Sequence, residues 1–457
     1  MNIVIVGAGD VGMYIAATLS KDQHNVILVD RDAKRLEQAS WQMDVATRLG
    51  SATDWELLDE LMELSPDVFI AVTENDETNL VASSIAKNLG YPKTMARLRD
   101  TRYFNRTRLD FGRLFDVDNL IGPELLVAHD ILKYILQPGS LAVEHFAHGA
   151  VQLRTIAIPA RWNHGDKTLS QLSLPPGVMV GLIRRFHADI SSQARSGSYQ
   201  IIFPHGTDRI LPEDEVTFIG ETDAIAAIPE FFQAAEPTVD SVVIIGGSLT
   251  AVNLARIVKR RNISVRIIEP DYNRCRQLSD LLPDCTIINQ RGTDIDFLRG
   301  ERIGASDILV ATSDSDEVNI LTAVLGQQVG CPNNIVLLTS SSYMEVVARL
   351  GIPYVVSPRV SAANAILSFT LAGRVSSMVS LYDNQAEIVE VQVSMRSKVA
   401  GIPLSELGPL LPKDFLIAMI QNRGRIMIAN GNRIISPGDS IIVITHPQHL
   451  KQLEKIF

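Results

Sequence analysis

The sequence predicts an α/β protein of two tandem, doubly wound parallel sheets, each followed by a small α+β, β-rich domain. Three observations carry that expectation. The first is an internal repeat: Ile3-Val4-Ile5-Val6-Gly7 returns about 240 residues on as Val242-Val243-Ile244-Ile245-Gly246. At nearly the same spacing Asp30 meets Glu269, Thr53-Asp54 meets Thr293-Asp294, Asp76-Glu77-Thr78-Asn79 meets Asp316-Glu317-Val318-Asn319, and Gly90-Tyr91-Pro92 meets Gly330-Cys331-Pro332. The second is rhythm: short β-branched runs at 3–6, 26–29, 68–72 and 94–97 alternate with helical segments, the pattern of βαβ units. The third is the stretch of chain after each copy. Alternating apolar residues (Leu153, Ile156, Ile158, Val178-Met179-Val180) close in Pro212-Glu213-Asp214-Glu215-Val216-Thr217-Phe218-Ile219, and a similar stretch closes in Pro437-Gly438-Asp439-Ser440-Ile441-Ile442-Val443-Ile444. The expected domains are 1–138, 139–225, 238–373 and 374–457, with linkers near 139–150, 222–240 and 374–386.

The glycine turn comes first in chain order. Gly7-Ala8-Gly9-Asp10-Val11-Gly12 follows the first strand and opens a helix with its apolar stripe on Val11, Tyr14, Ile15, Thr18 and Leu19. In such a Rossmann-like turn Gly7 permits the bend, Gly9 lets backbone approach a pyrophosphate, Gly12 allows close helix–strand packing, and the helix N-terminus attracts the anion. The second strand ends at Asp30, whose carboxylate suits a ribose diol and repels a 2′-phosphate, so NADP is disfavoured. The competing reading is a glycine turn kept for packing. In the second copy the turn reads Gly246-Gly247-Ser248-Leu249-Thr250-Ala251. Ser248 places a side chain where a pyrophosphate should approach, although Glu269 keeps the acid. A second site on Gly246, Gly247, Ser248 and Glu269 therefore stands against simple structural retention.

Further along, Thr73-Glu74-Asn75-Asp76 follows the strand 68–72, at the sheet end where ligands bind. These residues are equally good helix caps. Arg97 ends the strand 94–97 with Arg99 after it, and either meets phosphate oxygens or forms a surface ion pair; its counterpart in the second copy is Leu337. Helices are expected at 123–137 and 358–372, packed on the partner copy or within their own.

Composition narrows the function classes. A formal net charge of −10 argues against a nucleic-acid binder. The cysteines Cys275, Cys285 and Cys331 have no CxxC spacing, which fits a reducing cytosol. No metal site is read from the scattered histidines. The first residues carry no basic leader, and no apolar run reaches membrane-spanning length. His129, His145, His148, His164 and His187 lack a catalytic setting, and no GxSxG, SxxK or P-loop occurs. A substrate domain has little reason to be duplicated, so a ligand-sensing module is preferred over the alternative, an NAD-dependent oxidoreductase.

The glycine turn, Asp30, Gly50-Ser51-Ala52-Thr53-Asp54 and Val72–Asn79 resemble the TrkA N-terminal (RCK) domain family, and residues 151–220 resemble its C-terminal companion. The double arrangement covers nearly the whole chain. The resemblance implies a cytoplasmic, non-enzymatic regulatory protein, peripheral to the membrane through its partner. It would assemble as a homo-oligomeric ring under a potassium translocator of the TrkH/TrkG type and bind NAD(H), with ATP or ADP as further candidates. By carry-over, Gly7, Gly9 and Gly12 hold phosphates, with Ala8, Asp10 and Val11 between them. Asp30 and Arg31 lie on the ribose side, Ser51, Ala52 and Thr53 on the adenine side, Thr73, Glu74 and Asn75 on the cleft floor, and Arg97 faces phosphates. Asp10 departs from relatives with a basic residue there, which favours a dinucleotide over a triphosphate.

Overall fold

The computed structural model describes residues 1–21, 24–188, 197–234, 238–370, 375–382, 385–412 and 414–457. The chain divides into two compact bodies. One joins Met1–Leu132 to Val239–Thr370, the other Lys133–Thr238 to Leu371–Phe457. Both large repeats thus share the first body and both small ones the second.

In the first body, the first copy runs β1 (Asn2–Val6), α1 (Asp10–Lys21), β2 (Asn25–Asp30), α2 (Ala33–Gln42), β3 (Ala46–Leu49), α3 (Trp55–Met62), β4 (Val68–Ala71), α4 (Asp76–Leu89), β5 (Lys93–Arg97), α5 (Phe111–Leu114), β6 (Asn119–Ile121) and α6 (Pro123–Leu136). Its six strands are parallel in the order β3-β2-β1-β4-β5-β6. The order reverses between β1 and β4, which opens a crevice at their carboxyl ends. Ile3, Val4, Ile5 and Val6 are all fully buried, as a strand covered on both faces requires. Each such side chain contributes roughly 1.5–3 kcal/mol. The strands β3 and β6 went unread in the sequence. β3 is a sheet edge that is mostly exposed, so Ala46–Leu49 carries no apolar run.

The second body begins with β7 (Ser140–Phe146), β8 (Val151–Ala157), β9 (Val178–Ala188), β10 (Gly197–Ile202) and β11 (Glu215–Glu221), then α7 (Thr222–Ile225) and α8 (Ile228–Phe231). Back in the first body, the second large copy repeats the first: β12 (Ser241–Ile245), α9 (Leu249–Lys259), β13 (Ser264–Glu269), α10 (Tyr272–Leu281), β14 (Thr286–Asn289), α11 (Ile295–Gly300), β15 (Ile308–Ala311), α12 (Asp316–Gln328), β16 (Asn333–Leu337), α13 (Met344–Arg349), β17 (Tyr354–Val356) and α14 (Pro358–Thr370). Its strand order, β14-β13-β12-β15-β16-β17, matches the first sheet position for position. The chain closes with β18 (Val375–Leu381), β19 (Ala386–Gln392), β20 (Phe415–Asn422), β21 (Arg425–Ile428), β22 (Ser440–Thr445) and α15 (Leu450–Ile456).

The two small sheets, β7-β8-β11-β9-β10 and β18-β19-β22-β20-β21, have one topology and a common core. Leu153, Leu182 and Ile219 of one pack with Ile388, Met419 and Ile444 of the other. The three expected linkers are corrected by this arrangement. Residues 139–150 carry β7, which pairs antiparallel with β8. Residues 222–240 carry α7 and α8, which bury Ile225, Ile228 and Phe232. Residues 374–386 carry β18, paired with β19. Edge strands and four-residue helices leave little periodicity, and only pairing with a neighbouring strand or core defines them.

The helices expected at 123–137 and 358–372 form as α6 and α14. Helix α14 packs against α1 of the other copy, and the Ser361 hydroxyl donates to Asp130 of α6 at 2.6 Å. The cysteines are free; Cys275 and Cys331 are buried. Burial pushes the Cys331 thiol up to about 11. A raised native value favours the neutral thiol. Its contribution is therefore complete below the ordinary value of 9.0 and is lost as pH rises through about 11. Stability measured by denaturant across that window should fall more steeply for the native protein than for Cys331→Ala. Equal slopes would refute the assignment.

Candidate functional site

The carboxyl ends of β1 and β4 meet at the glycine turn. Gly7 has φ +107°, and a Cβ on it would lie 2.9 Å from the Thr73 nitrogen. One on Gly12 would lie 1.9 Å from the Gly7 carbonyl. Both positions are closed by backbone. Gly9 differs: the nearest atom to a Cβ there would be the Arg35 guanidinium at 3.9 Å, so the space over Gly9 is open. Glycine also supplies no capping side chain, which leaves the first-turn N–H groups of α1 uncapped beside that space.

This space is a cleft of about 930 Å³. Of the residues expected from the sequence, Gly7, Ala8, Gly9, Asp10, Val11, Asp30, Arg31, Ala52, Thr73, Glu74, Asn75 and Arg97 line it. Gly12 lies beneath the turn, while Ser51 and Thr53 do not line the cleft. Ser51 Oγ instead accepts from Arg31 at 2.5 Å and lies 3.2 Å from the Thr53 hydroxyl. Asp30 is oriented by two backbone donors, Ala8 N–H at 2.6 Å and Asp32 N–H at 2.8 Å, one on each oxygen. Each oxygen keeps a further lone pair for a diol.

The Thr73–Asn79 stretch resolves into structural partners. Asn75 caps α4, accepting from Thr78 N–H at 2.6 Å. Buried Asn79 accepts from Thr73 N–H at 2.9 Å and from the Thr73 hydroxyl at 2.7 Å, and donates to the Thr73 and Arg97 carbonyls. Asp76 accepts from Arg99 and Asp100 N–H, and Glu77 from the Tyr103 hydroxyl. Asn319, Asp316 and Glu317 make the same bonds in the second copy. The repeated Asp-Glu-x-Asn string thus joins the ends of two strands, which explains its retention in both copies.

Arg97 pairs with Glu124 of α6 at 3.4 Å, and Arg99 pairs with the same oxygen at 3.2 Å. Arg97 Nε and the second Glu124 oxygen are buried with no hydrogen-bond partner. Such incompletely matched ionic groups are costly; an anion at the guanidinium would pair with Arg97, while the Glu124 oxygen needs a donor of its own.

In the second copy Glu269 accepts from Gly247 N–H at 2.7 Å and Asp271 N–H at 2.9 Å, as Asp30 does in the first. Ser248, however, folds its hydroxyl back onto Ala251 N–H at 3.2 Å and caps α9. One donor that a phosphate would take is thereby occupied. Gly246, Gly247 and Glu269 do not line the cleft, whereas Ser248, Thr250, Ser313 and Arg359 do, so the second copy forms part of the first copy's wall. Sequence reasoning missed Arg35, Glu124 and Arg359 as lining residues. For Glu124 and Arg359 the available signal was the matched Pro123-Glu124 and Pro358-Arg359 at the two helix starts.

Among the described residues no group of three or more His, Cys, Asp and Glu could hold a metal ion, and no helix is long and apolar enough to cross a membrane.

Comparison with known proteins gives a consistent placement. The TrkA-N domain model matches residues 3–115 and 242–358, and the TrkA-C domain model matches 388–457. The chain is 30% identical to the Trk system potassium uptake protein TrkA homolog 1 of Methanosarcina mazei, covering 100% of both chains. It is 29% identical to the Trk system potassium uptake protein TrkA of Haemophilus influenzae, over 100% of this chain and 98% of that one. Among solved structures it resembles the GsuK RCK domain (TM-score 0.62, 16% identity, 100% of this chain and 94% of that chain). It also resembles the GsuK channel bound to NAD (TM-score 0.61, 16% identity, 100% and 78%). The small sheet of residues 140–221, which the C-domain model does not match, has the strand order of the one it does. With its two parallel sheets, two small β-rich domains and full-length relatives, the chain belongs to the TrkA family, the tandem RCK-domain regulatory proteins of potassium transport.

Proposed function

We propose that this chain senses a nucleotide in its first copy and thereby gates a membrane potassium translocator of the TrkH/TrkG type, against which it assembles as a homo-oligomeric ring. The carrying observation is the open cleft over Gly9, where the uncapped start of α1, the ribose acid Asp30 and the incompletely paired Arg97 converge. NAD(H) is the preferred ligand: Asp30 suits a ribose diol, and Asp10 disfavours the extra charge of a triphosphate. ATP and ADP are the competing ligands. The resemblance in fold to a channel bound to NAD supports a nucleotide as the ligand. No bond is made or broken. The ligand acts by its differential affinity for two states of the ring.

Calorimetric titration of the full chain with NADH and with ATP is the test. Saturable binding of NADH, tighter than ATP and without oxidation at 340 nm, is the expected result. Turnover of NADH with a carbonyl substrate would return the oxidoreductase reading, and absence of heat with both ligands would leave a nucleotide-free scaffold. Co-purification with a membrane potassium translocator tests the partner.

A further inference from the structure

The two copies carry opposite charges at one equivalent position. After β6 the chain reads Gly122-Pro123-Glu124, and after β17 it reads Ser357-Pro358-Arg359. Glu124 turns to Arg97 and Arg99 of its own copy. The second copy has Leu337 and Thr339 in place of those arginines, so Arg359 is not needed there. It reaches instead to the first copy and pairs with Asp10 at 3.0 Å. Asp10 is the first residue of α1, directly after the open Gly9, and Arg359 lines the same cleft.

Arg359 is three-quarters buried and Asp10 is 82% exposed. A guanidinium at the first turn of α14 also stands at the positive end of that helix, where a cation gains nothing from the backbone. Its stabilisation must come from an anion, and among the described residues the anion paired with it is the carboxylate of Asp10. A carboxylate and a phosphate present the same paired oxygens to arginine.

We propose that Arg359, carried by the second copy, is a phosphate ligand of the first copy's nucleotide site, and that Asp10 occupies it until the nucleotide arrives. The inference rests on the nucleotide reading above and deepens it. The degraded copy then contributes to sensing: a ligand seated at the first turn holds α14 of the other copy by its charge. Exchange of Asp10 for phosphate alters the contact between α1 and α14, a physical route from ligand to the packing of the two copies.

Titration of NADH into the full chain and into Arg359→Ala, Arg359→Lys and Asp10→Asn tests it. Arg359→Ala should weaken binding about tenfold or more, and lysine should restore part of the loss. Asp10→Asn, which removes the competing anion, should tighten binding. If the pair served only to hold the two copies together, both substitutions would shift affinity in the same direction, and that result overturns the proposal. Unchanged affinity in Arg359→Ala, with the native chain binding normally, overturns it while leaving the nucleotide reading intact. No binding of NADH or ATP by the native chain overturns both.

Discussion

Gly9→Glu is expected to abolish nucleotide binding while the protein stays folded. The position has room for a side chain, since a Cβ would meet nothing nearer than 3.9 Å, and its φ does not lie in the left-handed region. The second copy already places Ser248 there without disturbing its strand–turn–helix unit. A glutamate side chain fills the space where backbone N–H groups would approach a pyrophosphate and adds a like charge. At about 4 Å and an effective dielectric of ~20, that repulsion alone is about 4 kcal/mol, on the order of a thousandfold in affinity. Calorimetry should show no saturable heat with NADH, and thermal unfolding without ligand should match the native chain. Retained affinity would remove the turn from the site. Gly7 and Gly12 cannot serve this test, because backbone fills the space beside them and substitution would perturb folding itself.

The second large effect concerns stability. Asn79→Ala removes a fully buried amide that accepts two hydrogen bonds from Thr73 and donates to the Thr73 and Arg97 carbonyls, whose residues are half-buried. It leaves Thr73 N–H and the Arg97 carbonyl without this partner. The expected cost is about 3 kcal/mol, read from chemical denaturation. Asn319→Ala removes the same bonds in the second copy and should cost a similar amount. The two should part on ligand binding. Thr73 and Arg97 stand on the first copy's side of the cleft, beside the open turn at Gly9, so Asn79→Ala should also weaken NADH binding; Asn319 ties Ser313 to Leu337 on the second copy's wall of the same cleft, so Asn319→Ala should weaken it less. Native stability in both variants would contradict the structural role of the repeated motif.

These two residues mark how legible the site was. Gly9 was readable because its requirement is local: a strand, a glycine turn and a helix in sequence order, with the acid one strand later. Asn79 was visible as a recurrence, yet its task was not, because its partners include the end of β5, eighteen residues on. Thr73 and Asn75 read equally well as ligand contacts or caps. The structure gives Asn75 a cap and Thr73 a buried partner while leaving both on the cleft wall.

The duplicated α/β architecture, the intact turn of the first copy and the altered turn of the second were determined by sequence alone, since hydrophobic periodicity and glycine placement act over a few residues. What tertiary structure decided depends on distant segments meeting. The three supposed linkers became strands and helices only through a partner strand or a shared core. The Asp10–Arg359 pair joins positions about three-quarters of the chain apart, and neither residue alone signals it. The asymmetry between the copies therefore has a different physical meaning once folded. The second turn uses its own helix donor on Ser248, while the helix after its sheet delivers a cation to the first copy's cleft.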